Sequence, residues 1–286
     1  MKQITAVVKM LAVLAILFGM ACPAQPSNLN AIELDLRDHK SAHLFEIVNA
    51  DHAFRRQIIE HAVFELCTER DDRVMVTYLM DVPRHLQMNL DDSRKRGRFL
   101  QNDEHYVVQT YLNHRKVMSG QGPYSNYDEL MSYYKEKMQE CMARSYQPVA
   151  VLALKEYTYL PPASIEVSFV VQQNLGTKLL DTLYLVPLLI IDPLPSYTIA
   201  DPAYSHKNVA VQSLSLVSSD KSFDGSGYQL SAMVDASSLS KGEEIKLSFA
   251  VAIPAISWEG QWKVMFILEN HRQKTQFGAW IKLLED

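Results

Sequence analysis

From Val149 onward the chain is a succession of short apolar segments separated by turn residues, and this pattern constrains its fold more than any other feature. The segments are Val149–Tyr159, Ile165–Gln172, Leu183–Ile191, Val209–Val217, Tyr228–Val234, Ile245–Ile253, Trp262–Leu268 and Phe277–Leu283. Pro161-Pro162, Asn174 to Gly176, Asp192-Pro193, Asp224-Gly225, Lys241-Gly242 and Glu259-Gly260 stand between them. Glycine tolerates positive φ and proline cannot continue a hydrogen-bond ladder, so these residues mark turns. Ile245, Leu247, Phe249 and Val251 recur at every second position, as do Val264, Phe266 and Leu268, which is the period of a strand with one buried face. Residues 148–286 are therefore expected to form an all-β antiparallel sandwich of immunoglobulin-like architecture. The Cys…Trp…Cys signature of antibody domains is absent, so the expectation concerns architecture alone.

Residues 25–147 have a different texture and are expected to form an α+β domain ending near Pro148. Residues 25–40 are a mixed lead-in, and Ser41–Val48 reads as a short helix. Asp51 is a candidate N-cap for a helix carrying Phe54, Ile58, Ile59, Ala62, Val63 and Leu66 at helical spacing up to Cys67. Arg73–Met80 reads as a strand with Val74, Val76 and Tyr78 on one face. Asp91–Glu104, rich in charge, reads as a solvated loop, and Tyr106–Leu112 leans to strand. A second helix starts near Asn126, with Glu129 as capping-box partner and Leu130, Tyr134, Met138 and Cys141 as its apolar stripe.

The first 24 residues read as an export signal. Lys2 and Lys9 precede an apolar run from Leu11 to Ala21, and Cys22-Pro23-Ala24 closes it. Cleavage after Ala24 would remove Cys22, whereas a lipobox reading of Gly19-Met20-Ala21-Cys22 would make Cys22 a lipidated N-terminus. Gly19 stands where a branched aliphatic residue is usual, which favours the first outcome. Beyond Gln25 no apolar run is long enough for a bilayer core of about 30 Å, so no transmembrane span is expected in the mature chain. There is no Asn-x-Ser/Thr acceptor, which leans toward a bacterial envelope protein. The expected location is periplasmic, outer-surface or extracellular.

Composition excludes some functions. Removing residues 1–24 takes out two lysines and no acid, so the net charge moves from −5 to −7. Nucleic-acid binders carry a basic footprint, so none is expected here. Cys67 and Cys141 remain after cleavage, and an even count in an oxidising compartment suggests a disulfide between the two helices. Closing a loop of about 75 residues, it would be worth roughly 4 kcal/mol. Two buried free thiols are the alternative, and the disulfide is the favoured reading. No Cys-x-x-Cys occurs, so neither a thioredoxin-like redox centre nor haem attachment is supported.

The candidate sites are sparse. Seven of the nine histidines lie between His39 and His114, and most read as surface residues. His61 and Glu65 are four apart on a predicted helix, the spacing that brings two ligands to one metal ion, but no His-Glu-x-x-His accompanies them. Asp220, Ser222 and Asp224, followed by Gly225, resemble the start of a Ca²⁺ loop, yet the twelfth position is Ser231 rather than Glu. A polar connecting loop is the preferred reading there. Trp258, in a turn region, is a candidate for an exposed glycan-stacking platform. The Arg94–Arg98 run is flanked by Asp91, Asp92, Asp103 and Glu104 and reads as a self-neutralised surface loop.

Gly-x-Ser-x-Gly, Gly-x-x-x-x-Gly-Lys-Ser/Thr and Gly-x-Gly-x-x-Gly motifs are all absent, so catalytic residues are unknown and no cofactor is expected. The sequence points to an exported, non-catalytic envelope protein acting in binding or assembly through the sandwich, with a protein or glycan partner. The alternative is a secreted or periplasmic hydrolase with a histidine-containing site in the N-terminal part and the sandwich as accessory module.

Overall fold

The computed structural model describes residues 42–49, 54–70, 72–80, 90–101, 108–119, 126–143, 152–161, 163–171, 183–194, 205–219, 232–234, 240, 242–254, 260–270 and 275–284. The N-terminal part comprises β1 (His43–Asn49), α1 (Phe54–Thr68), β2 (Arg73–Leu79), α2 (Asp91–Leu100), β3 (Gln109–Leu112), β4 (Arg115–Ser119) and α3 (Tyr127–Ala143). It is followed by β5 (Leu152–Leu160), β6 (Ser164–Val171), β7 (Leu183–Asp192), β8 (Val209–Ser213), β9 (Ser215–Ser219), β10 (Ala232–Val234), β11 (Glu244–Ala250), β12 (Gln261–Asn270) and β13 (Thr275–Leu283).

Two of these elements correct the sequence reading. The segment expected as a helix over Ser41–Val48 is the strand β1, all seven of whose residues are buried. Leu44, Phe45, Ile47 and Val48 imitate helical spacing because a strand covered on both faces carries apolar residues on both. The segment expected as a solvated loop is the helix α2. Its buried residues are Ser93, Arg96, Gly97 and Leu100, spaced i, i+3, i+4, i+7. The helical stripe is present but is made of small and charged residues, so an apolar periodicity does not register it. Asp91 and Asp92 in its first turn and Arg98 in its last suit the helix dipole. The expected strand Val209–Val217 divides at Leu214 into β8 and β9, which belong to different sheets.

The protein is mostly β. A large mixed sheet runs in the order β13-β12-β7-β8-β2-β1-β3-β4, with β10 also pairing β7. A smaller antiparallel sheet runs β5-β6-β11-β9. β1 and β2 are parallel and joined through α1, while β3 and β4 form a hairpin beside β1. The two parts of the large sheet meet where β2 pairs in parallel with β8, through the single residue pair Thr77–Val209. The sequence boundary at 147/148 falls between α3 and β5, yet the large sheet takes β1–β4 from before it and β7, β8, β12 and β13 from after it. Residues 32–286 form one compact unit.

Three of the four apolar clusters among the described residues follow from these layers. The smaller sheet presents Leu154, Phe169, Ile245 and Phe249 to Leu189, Val264, Phe266 and Trp280 of the large one. The side chains that recur at every second position in β11 and β12 thus point into one shared core. On one face of β1–β3, α1 and α3 cover Phe45, Ile47, Met75 and Leu112 with Ile59, Ala62, Leu66, Leu130, Tyr134 and Met138. On the opposite face Leu44, Val48, Val76 and Tyr78 meet Val186, Leu188, Met265 and Ile267, so that the two parts of the large sheet share a second interior. β13 approaches β1 and β2 across it.

A sheet shared in this way should unfold as one unit. All three tryptophans follow residue 257, whereas α1–α3 all precede residue 144. Tryptophan fluorescence and far-ultraviolet ellipticity should therefore give coincident denaturant transitions; resolved transitions would mean independent units. Phe266→Ala, at the meeting of the Phe169 and Phe249 rings, should lower both together by about 3–5 kcal/mol.

Candidate functional site

The interior between the two parts of the large sheet holds a cluster of ionisable side chains. Burying a charge in a protein core is costly unless it is paired. Glu46 projects from the middle of β1, flanked on its face by Leu44 and Val48, and Glu269 projects from the end of β12 beyond Ile267. Arg96 of α2 stands between them, and its side chain is 0 % exposed. Its Nη1 donates to Glu269 Oε1 at 2.7 Å, and its Nη2 donates to Glu269 Oε2 at 2.6 Å and to Glu46 Oε1 at 2.9 Å. The Tyr78 hydroxyl donates to Glu46 Oε1 at 3.0 Å. The guanidinium also lies 5.0 Å from the centre of the Phe99 ring. Its Nε has no acceptor among the described residues.

His114 completes the cluster. It is the second of two residues turning β3 into β4, and Asn113 and His114 have φ of 50° and 64°. Positive φ at both central positions is the geometry that two-residue hairpin turns favour. Asn113 fixes the turn against β1: its amide donates to the Leu44 carbonyl, and its Oδ1 accepts from the Leu44 amide. The imidazole thereby enters the interior, with Nδ1 2.8 Å from Glu46 and Nε2 2.9 Å from Glu269. These contacts are ion pairs by distance without hydrogen-bond alignment.

The charges set one another's protonation. Burial acts to lower the His114 pKa, but the Glu46 and Glu269 carboxylates outweigh it and raise it to about 9. For Glu46, burial acts upward, and His114 and Arg96 together overcome it, leaving the carboxyl below its ordinary range. Arg96 is pushed further up by Glu269 and Glu46 against the effect of burial. With His114 protonated, two carboxylates face two cations.

A second buried group lies on the α1 face. Glu60 of α1 accepts from the Asn49 side-chain amide, and His206 Nδ1 is 3.0 and 3.1 Å from its two carboxylate oxygens. Glu60 and His206 are 2 % and 1 % exposed. Both groups are closed to solvent, so their geometry suits holding elements together rather than proton exchange with a substrate.

The candidate residues read from sequence fare differently. His61 and Glu65 do lie together on α1, with Nδ1 3.3 Å from Oε1, and both are about half exposed. The Tyr127 hydroxyl also donates to Glu65. Among the described residues no three His, Cys, Asp or Glu side chains gather as a metal site would require. Cys67 has no disulfide partner among the described residues, and burial pushes its thiol pKa well up. The Cys141 side chain, Cys22, Trp258, Asp220, Ser222 and Asp224 lie outside the described residues. The histidines His43 and His114 are buried rather than at the surface, and the Arg94–Arg98 run supplies a buried cation rather than a solvated loop. β1–α1–β2 is the kind of unit on which a Cys-x-x-Cys would sit, but residues 50–53 read Ala-Asp-His-Ala.

Sequence reasoning missed Arg96, Glu46, Glu269 and His206. A signal was present: Glu46 interrupts an apolar run, and Glu269 directly follows one. An acid in a buried strand requires a partner, and Arg96 is the only cation of its run on the buried stripe of α2.

No family model and no curated protein matches the chain. Among solved structures it is similar to HBP35 of Porphyromonas gingivalis, with a TM-score of 0.53 and 11 % identity, covering 85 % of this chain and 75 % of that one. A structural-genomics target from Agrobacterium tumefaciens aligns with a TM-score of 0.45 and 13 % identity, covering 87 % and 97 %. At these identities the first likeness concerns the fold alone.

The cluster predicts stability limits on both sides of neutrality. The folded pKa of His114 lies above its ordinary value of 6.5, so its contribution is full below that value and is lost as pH rises through about 9. Glu46 is shifted down, so its contribution is present above the ordinary carboxylate range and is lost as pH falls through the lowered value. Denaturant midpoints should decline along both limbs. His114→Asn, which tolerates the positive φ, should abolish the decline near pH 9. Arg96→Met, leaving both acids buried without the guanidinium, should cost about 3–5 kcal/mol.

Proposed function

We propose that the protein is an exported, non-catalytic component of the cell envelope that acts in binding or assembly through its two-sheet C-terminal part. The observation that carries this reading is β9, which is an edge strand among the described residues. It pairs with β11 on one side and contains no charged residue, and Val217 within it is 64 % exposed. Edge strands offer backbone groups to an incoming chain, and folds commonly protect them with charge. The ionisable groups gathered in the interior compensate one another and are closed to solvent, so they give no support to the hydrolase alternative. Loops and sheet edges used in the manner of immunoglobulin-like modules suit a protein partner, added as a strand along β9. Among the described residues no helix is long and apolar enough to cross a membrane, which accords with attachment by an N-terminal lipid or by none.

Two measurements test the proposal. The intact mass from the native host should begin at Gln25, or at Cys22 with acyl chains; a chain retaining Met1 would overturn export. A photo-crosslinking residue at position 217 should yield a discrete protein adduct in the envelope fraction. The same residue at Glu136, exposed on α3, should not. Indistinguishable adducts at the two positions would overturn the role of β9.

A further inference from the structure

A groove of about 320 Å3 opens between the C-terminal end of α1, the start of β2, Asn208, the start of β12 and the end of β13. Its size is at the lower end of small-molecule sites. Phe64, Val74, Met75, Ile281 and Leu283 supply an apolar wall, and Arg73, Lys263 and Lys282 also line it. Among the described residues no acidic side chain does.

The cations are unequally satisfied. Lys263 donates to Asp192 Oδ2 at 2.5 Å and to Asn208 Oδ1 at 2.9 Å. The Arg73 side chain is 10 % exposed, and its Nη1 donates to the Leu66 carbonyl. Its Nη1 also lies 3.6 Å from Glu69 Oε2 and its Nε 3.6 Å from Asp72 Oδ1, so two carboxylates face this guanidinium, although the buried Nε has no hydrogen-bond acceptor among the described residues. Lys282 has no ion-pair partner among the described residues, and burial alone holds its ammonium below the ordinary lysine range. A half-buried amine without an acid leaves an energetic deficit that an anion in the groove would relieve.

We propose that this groove binds a small amphipathic anion, a carboxylate on an aliphatic chain, its head held by Lys282 and its chain by the apolar wall. The head requires the positive lining, and the chain requires Phe64, Val74 and Ile281. Neither alone accounts for a groove in which both are joined. The site stands apart from the β9 edge, so either reading can fail without the other.

Octanoate, octanol and acetate separate the contributions. Titrated into the isotopically labelled protein, octanoate should shift the amides of Phe64–Thr68, Val74, Met75 and Ile281–Leu283 in a saturable way. Octanol, lacking the charge, and acetate, lacking the chain, should each bind more weakly. Lys282→Gln should weaken octanoate about tenfold, the effect of losing one charge-assisted contact, and leave octanol unchanged. The variant removes no ion pair seen among the described residues, so its fold should survive, as its unliganded spectrum would show. Absence of shifts at these amides, equal affinity for octanol and octanoate, or unchanged octanoate affinity in Lys282→Gln would each overturn the proposal.

Discussion

The guanidinium of Arg96, held between Glu46 and Glu269, is the interaction on which the rest of the fold depends. Its partners lie 50 and 173 positions away in the chain. They come from β1 and β12, strands on opposite sides of the β2–β8 junction. Replacing such a cluster with apolar residues of matched shape is often tolerated, whereas removing one member strands a charge. The cluster therefore specifies which surfaces face each other more than it adds to their affinity. α2 reinforces the same junction: the Ser93 hydroxyl accepts from the Leu79 amide of β2, and Asp92 accepts from the Ser213 amide of β8.

Much of the strand content was legible because it is local. Ile245, Leu247, Phe249 and Val251 are buried as their spacing requires, and so are Val264, Phe266 and Leu268. The stripe Leu130, Tyr134 and Met138 is likewise buried, and Asn126 caps the helix by accepting from the Glu129 amide. What was not legible is long-range. Nothing near residue 46 announces that its partner is Arg96, and the helical stripe of α2 is invisible to a hydrophobic scale because arginine and serine occupy it. Leu214, where the chain passes from one sheet to the other, lies between Ser213 and Ser215 with no glycine or proline to mark the passage. The pairing of strands across residue 148 depends on tertiary contacts that no local window contains. Of the candidate sites, the His61–Glu65 pair was readable from an interval of four, whereas the groove joins five separate stretches of chain.

The arrangement also bears on the kind of work this molecule does. Enzymes place groups of perturbed pKa where substrate reaches them. Here Glu46, Arg96 and His114 are sealed between sheets, with His114 held by a constrained turn, and with Glu269 their charges offset one another. The accessible features are of another kind: an uncharged strand edge and an apolar groove with unsatisfied donors. They occupy different parts of the molecule.

The single pair Thr77–Val209, with the Thr77 amide bonded to the Asn208 carbonyl, is the narrowest rung in the large sheet. A sheet under tension parts where the fewest ladder bonds share the load. If β2 and β8 were drawn apart, the ladder between them would yield at this one rung. The buried ions behind that line would then act as a bolt across a seam, turning a peeling load into one that must break several charged contacts at once. Mechanical resistance, in this fold, is set beneath the sheet rather than in its ladder.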